Sequence, residues 1–160
     1  MGEIKQRAEV LAPNYIKVLK FSGEHPSRVL KMIPTLMKEI FKITSTNFFE
    51  DLMKWDNLTE DNKFFGAWRG RDGKDARSDL WVDVKAQGEQ NEKSKNGNVT
   101  VWLRSYLITK FKYSNSLVKG LLRVYAYYFY SEQRRKYTDE ARDRLNILEK
   151  ELKTQLGLGG

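Results

Sequence analysis

The sequence predicts an α+β domain: a curved antiparallel sheet of about four to six strands packed against long C-terminal helices, with a kinked helix after the first strand. Three observations carry this. Two alternating runs, Asp79–Gln87 and Val99–Lys112, have the two-residue period of half-buried strands. Asp72-Gly73 and Asn96-Gly97 are pairs favoured in hairpin turns, which join antiparallel neighbours. From Ser116 onwards the apolar residues change to a helical period.

Taken in order, residues 1–12 are expected to be flexible. Asn14–Phe21 reads as a strand bounded by Pro13 and closed by Ser22-Gly23. Pro26 suits the first position of a helix. Val29, Leu30, Ile33, Leu36, Met37 and Ile40 form one helical face, and Pro34 within it is expected to kink or divide the helix. Residues 42–55 are assigned to strand, although Phe48, Leu52 and Trp55 also fit a helix.

Phe64–Arg71 reads as a strand running into the Asp72-Gly73 turn, with Gly66 and Gly70 marking a bulge or bend. In the next strand Leu80, Val82, Val84 and Ala86 face one way, and Trp81, Asp83, Lys85 and Gln87 the other. Gly88–Asn98 is expected to be a polar loop. Along Val99–Lys112 the odd positions Val99, Val101, Leu103, Leu107 and Phe111 make a core face. The even positions Trp102, Arg104, Tyr106, Ile108, Lys110 and Lys112 combine aromatic and basic residues.

Leu117–Tyr130 is apolar around most of a helical circumference, which predicts burial on several sides, and its β-branched and aromatic residues also allow a strand at 121–130. Thr138 is expected to cap the last helix. Ala141, Leu145, Leu148, Leu152 and Leu156 form that helix's stripe, and Glu140–Arg144 and Glu149–Lys153 are i,i+4 pairs. The final Gly-rich residues, 157–160, read as a flexible tail. In element order the chain resembles the START-like helix-grip fold, in which a curved sheet wraps a long C-terminal helix. That resemblance implies binding of apolar or amphipathic small molecules, although some members are enzymes.

The charge is unevenly distributed. The chain has 160 residues and a formal charge of +8, and no Asp or Glu occurs between Glu92 and Glu132. An electropositive side favours anionic partners. Cysteine is absent, which removes disulfides and thiolate chemistry, and the single histidine, His25, lacks a companion for metal binding or base catalysis. Asp72, Asp75, Asp79 and Asp83 are the carboxylates nearest to a magnesium-site pattern, but they surround a turn. The expectation is therefore a single cytoplasmic domain with no catalytic residue, metal or cofactor.

The candidate binding residues are Trp68, Trp81, Trp102, Tyr106, Tyr125 and Tyr128 for apolar contact. Arg104, Lys110 and Arg123 would meet the acidic end of a small amphipathic ligand held between sheet and C-terminal helix. Trp68, Arg69 and Arg71 with Trp81, Trp102, Arg104 and Tyr106 also suit an aromatic–cationic nucleic-acid surface on adjacent strands. A homodimer through Leu117–Tyr130, and contact of that segment or of Arg134-Arg135-Lys136 with a membrane surface, are further readings.

Overall fold

The computed structural model describes residues 2–157. It is an α+β fold with a six-stranded, fully antiparallel sheet that does not close. The strands are β1 (Gly2–Glu9), β2 (Lys17–Glu24), β3 (Phe48–Asp56), β4 (Asp61–Gly73), β5 (Ser78–Asn91) and β6 (Asn96–Tyr113). The helices are α1 (Val29–Phe41), α2 (Ser116–Tyr128) and α3 (Ser131–Leu156). None of these helices is long and apolar enough to cross a membrane.

Strand β6 organises the sheet. One edge pairs with β5, and the sheet continues through β4 to β3. The other edge is shared: β2 pairs with residues 96–103 and β1 with 106–113. Residues 2–9, expected to be flexible, form an edge strand; Ile4 and Ala8 alternate inward, a signal too sparse beside Lys5, Gln6 and Arg7 to stand out in the sequence.

Both hairpin turns are displaced from their Gly signals. Asp72-Gly73 and Asn96-Gly97 lie inside strands, and the chain reverses at 74–77 and 92–95. The first reversal is held by Asp75, whose Oδ1 accepts the amides of Arg77 at 2.7 Å and Ser78 at 2.8 Å. The second has Lys95 in the left-handed region, φ 63°. Gly88 to Asn98 is accordingly mostly ladder rather than loop. Gly66 and Gly70 do not mark a bulge. Cβ atoms there would strike the Trp68 indole and Ile43, so glycine makes room for the core, and the register shift lies opposite, between Glu50 and Leu52 of β3.

The inner sheet face carries Phe64, Trp68, Leu80, Val82, Val84, Ala86, Val99, Val101, Leu103 and Leu107, all buried. Helices α1 and α3 cover it. The α1 stripe of Val29, Ile33, Leu36, Met37 and Phe41 is buried, and α1 runs undivided through Pro34 to a left-handed stop at Lys42, φ 54°. From α3, Ala141, Leu145, Leu148, Leu152 and Leu156 reach the same core. Both i,i+4 pairs form, Glu140–Arg144 at 2.7 Å and Glu149–Lys153 at 3.1 Å. Thr138 is not a cap: α3 begins at Ser131, and Thr138 donates to the Arg135 carbonyl at 2.9 Å within the helix.

Residues 116–128 form α2, not a strand, started by Asn115, whose side chain accepts the Val118 amide at 3.0 Å. Contrary to the burial predicted for it, only Ala126 of α2 is buried. The expected tail beyond Gly157 lies outside the described residues.

Candidate functional site

The outer face of the sheet carries no helix among the described residues. Strand alternation places the even residues of β6 there, together with Trp81, Asp83 and Lys85 of β5, and Phe65, Ala67 and Arg69 of β4. The register then builds rows across the strands. One row runs Arg104, Asp83, Arg69, Phe49, from β6 to β3. On one side of it lie Glu9, Tyr106, Trp81 and Arg71. On the other lie Val18, Trp102, Lys85, Ala67 and Leu52.

Cations and rings are layered on each other in these rows. Arg7 lies 3.9 Å above the Tyr106 ring and Arg104 5.7 Å from it. Arg69 sits between Phe49 at 5.4 Å and Trp81 at 5.6 Å, and those two rings stack at 6.4 Å. Two acids orient the guanidinium groups. Glu9 receives two hydrogen bonds from Arg104, at 2.6 and 3.2 Å, and one from Arg7 at 3.0 Å; Asp51 receives Arg69 Nε at 2.7 Å. Burial opposes ionisation of Glu9, but the hydrogen bond and charge of Arg104, followed by Arg7, hold its carboxyl below the usual range. The pairs fix the planar forks beside the rings, of which Trp81 and Tyr106 are partly buried and Phe49 is 38% exposed.

At the centre is Asp83. Its Oδ1 is buried and has no hydrogen-bond partner. Burial raises its carboxyl pKa, and the neighbouring Arg104 and Arg69 charges only partly offset that. Asp83 lines an open cleft of about 370 Å³ with Ile16, Phe65, Lys85, Gln87, Trp102 and Arg104.

Of the residues singled out in the sequence, Trp81, Trp102, Arg104 and Tyr106 come together on this face. Trp68 does not. It is 1% exposed in the core, its indole N–H directed to Glu50 Oε1 at 3.3 Å. It shares the parity of Phe64, the inward side of β4, which the glycines around it disguised. Lys110 projects from the far end of β6 into a different cleft of about 710 Å³, beside Phe111, Lys112, Arg77 and Leu122 of α2. The three α2 candidates lie apart from the outer face. Tyr125 packs edge-on against Phe111 at 6.2 Å, whereas Arg123 and Tyr128 are exposed. Sequence reasoning missed Arg7, Glu9, Phe49 and Phe65. Parity alone would have included Phe65, which shares its side with Arg69; Arg7 and Glu9 were hidden because β1 was not recognised.

The turn aspartates do not converge. Asp72 pairs with Lys74 at 2.7 Å, and Asp75 accepts the Tyr137 hydroxyl at 2.9 Å and that of Tyr130. The Tyr130 hydroxyl also meets Ser78 at 2.7 Å, and Ser78 meets Thr109 at 3.0 Å. Burial, then the bond to Asp75, push the Tyr130 phenol up to about 12. This network, buried at Ser78, Thr109 and Tyr130 and exposed at Asp75, fastens the α2–α3 joint to the 74–77 turn. No group of three or more metal-ligating side chains occurs among the described residues.

No family model matches the chain, and no curated protein matches it. Among solved structures it is similar to an uncharacterized protein from Rhizobium leguminosarum, 8% identical over 92% of this chain and 99% of that one, with a TM-score of 0.20. A likeness at that level carries no argument.

Proposed function

We propose that the protein binds single-stranded nucleic acid across the outer face of its sheet. The observation that supports this is the helix-free face itself, where Trp81, Trp102, Tyr106 and Phe49 lie beside Arg7, Arg69 and Arg104. Exposed rings stack unpaired bases, and guanidinium and ammonium groups neutralise the phosphates between them. A duplex hides its base faces, so the same surface favours single strands. Arg71 and Lys85, next to Trp81 and Trp102, add charge along the rows.

The reading predicts affinity for labelled oligonucleotides that falls steeply with salt, with a logarithmic slope near −0.7 for each phosphate neutralised. Replacing Trp81 and Trp102 together by Ala removes two stacking surfaces and weakens binding by about 100-fold, since each stacked base is worth roughly 1–3 kcal/mol. Fluorescence anisotropy at several salt concentrations measures both effects. Affinity unchanged in the double variant would sink the proposal.

A second reading rests on the 710 Å³ cleft. Arg77, Lys110 and Lys112 line it with Glu3, Asp75 and Asp79 and with Phe111 and Leu122, a combination suited to a small amphipathic molecule that carries both charges, at the edge between sheet and α2. The sheet–α3 interior is a different matter, because Trp68, Phe64, Leu103, Leu145 and Leu148 fill it with side chains. Native mass spectrometry compared with the denatured mass tests this reading; the bare chain mass under native conditions counts against it.

A further inference from the structure

Helix α2 exposes an apolar stripe that its own fold does not cover. Leu117, Leu121, Val124 and Tyr128 are 74, 63, 51 and 69% exposed. Their spacing of four, three and four places them on one line along the helix. The opposite side of α2 is the one that packs, through Ala126 and Leu122 against Phe111 and Ile4 of the sheet. The stripe therefore points directly away from the body. At its C-terminal end Tyr127 and Phe129, 73 and 71% exposed, continue the apolar surface.

We propose that α2 is an in-plane anchor that binds the surface of an anionic lipid membrane. Charge selects this occupant. Lys119, which lies 5.3 Å over the Tyr113 ring, and Arg123 are the charged side chains of α2, Lys110 and Lys112 of β6 line the cleft with Leu122, and no acidic residue occurs from Lys93 to Ser131. Glu3, Asp75 and Asp79 line the cleft under Leu122, on the side facing the sheet, and the exposed Glu132 follows α2 in the first turn of α3. An apolar ridge directed outwards over a basic base is the arrangement of an interfacial helix, whose ridge enters the acyl boundary while its cations meet anionic headgroups. Tyr127 and Tyr128 suit the same boundary, since each ring has an apolar body and a polar tip. A second copy of this chain fits less well. Two copies of α2 would meet over four side chains apiece, where a stable interface uses roughly 20–30 residues a side.

The test is flotation of the full chain with phosphatidylcholine vesicles and with vesicles that also contain phosphatidylserine. Flotation is expected only with the latter. Leu121→Glu is expected to lower the bound fraction about tenfold or more, and Lys119→Gln with Arg123→Gln to lower it about tenfold. Leu121 is largely exposed, so the Glu variant keeps the parent melting curve, which circular dichroism verifies. Trp81→Ala with Trp102→Ala, on the other surface, keeps its vesicle binding. The proposal is overturned if no vesicle recruits the chain, if Leu121→Glu binds like the parent, or if sedimentation shows a dimer that Leu121→Glu dissolves. The last result assigns the stripe to self-association.

Discussion

Trp68 and Trp102 belong to the same sheet and differ in the side to which strand alternation turns them. Trp68 fills the space under α1 and α3 with Phe64, Leu80 and Leu103 about it; Trp102 borders an open cleft beside Lys85 and Arg104. The two helices that follow the sheet repeat the contrast. The α3 stripe is fully buried, and the α2 stripe points into solvent. An apolar or aromatic period therefore records that a surface needs a partner. It does not record whether the partner lies in the same chain. On the packed side the hydrophobic effect is already used in folding; on the bare side it remains available for binding.

The contrast breaks most visibly at the tryptophans. Trp68→Ala leaves a cavity over Gly66, which has no side chain to fill it. A loss of about 3–5 kcal/mol is expected. Trp102→Ala should cost clearly less, about 1–2 kcal/mol, because the ring is only partly buried. Urea unfolding of the two variants measures the difference. Equal losses would mean that the outer face is structural, and the binding surface proposed for it would lose its basis.

Asp75 sharpens the border between the two sides. It joins the turn after β4 to Tyr130 and Tyr137 at the α2–α3 joint. Burial opposes its ionisation, yet hydrogen bonds from Tyr130, from the Arg77 and Ser78 amides and from Tyr137 hold its carboxyl below the usual range. Since its folded pKa is depressed, its contribution is complete above about pH 4, the ordinary aspartate value, and disappears as pH falls through the folded value. Tyr130 behaves oppositely: raised to about 12, its contribution is complete below about pH 10 and is lost as pH rises through the folded value. Asp75→Ala should cost about 1–2 kcal/mol at pH 7, the low end for several hydrogen bonds because the residue is itself exposed. Melting curves of parent and variant should converge at acid pH; a gap that persists there would show that the aspartate acts through packing alone.

The α+β class and the core were legible because they rest on long periodic segments. The odd positions Val99, Val101, Leu103 and Leu107 of β6, the α1 face apart from the partly buried Leu30 and Ile40, and the α3 leucines occupy the core they predict, while Phe111 joins a smaller cluster under α2. Turns were less legible. Asp72-Gly73 and Asn96-Gly97 carry turn chemistry, but ladder pairing with β5 on both sides extends the strands through them. The site was legible only in part. Trp81, Trp102, Arg104 and Tyr106 share a face by parity, whereas Glu9, which orients two of the arginines, comes from a strand whose pairing is long-range and whose own pattern is mostly charged. Burial of α2 was over-read for the reason the tryptophans illustrate: its circumference shows demand for cover, not its source.

The smallest expected effect has the opposite sign. Asp83 is the acid at the centre of the bare face, with one oxygen buried and unpaired between Arg104 and Arg69. Burial raises its pKa despite those cations. A raised carboxyl makes the folded state hold its proton more tightly than the unfolded chain, so this group's effect on stability worsens as pH rises from about 4 through the folded value and stays unfavourable at neutral pH. Asp83→Asn removes the charge while keeping the shape, and should stabilise the protein by about 0.5–1 kcal/mol at pH 7. It also removes a negative charge from the proposed nucleic-acid surface. Affinity for single strands should therefore rise several-fold, most clearly at low salt, where charges about a Debye length apart still interact. A more stable variant with unchanged affinity would separate the two effects and place the strand away from Asp83; weaker binding would mean that the carboxylate accepts hydrogen bonds from the ligand, as it does from no group of the protein through Oδ1.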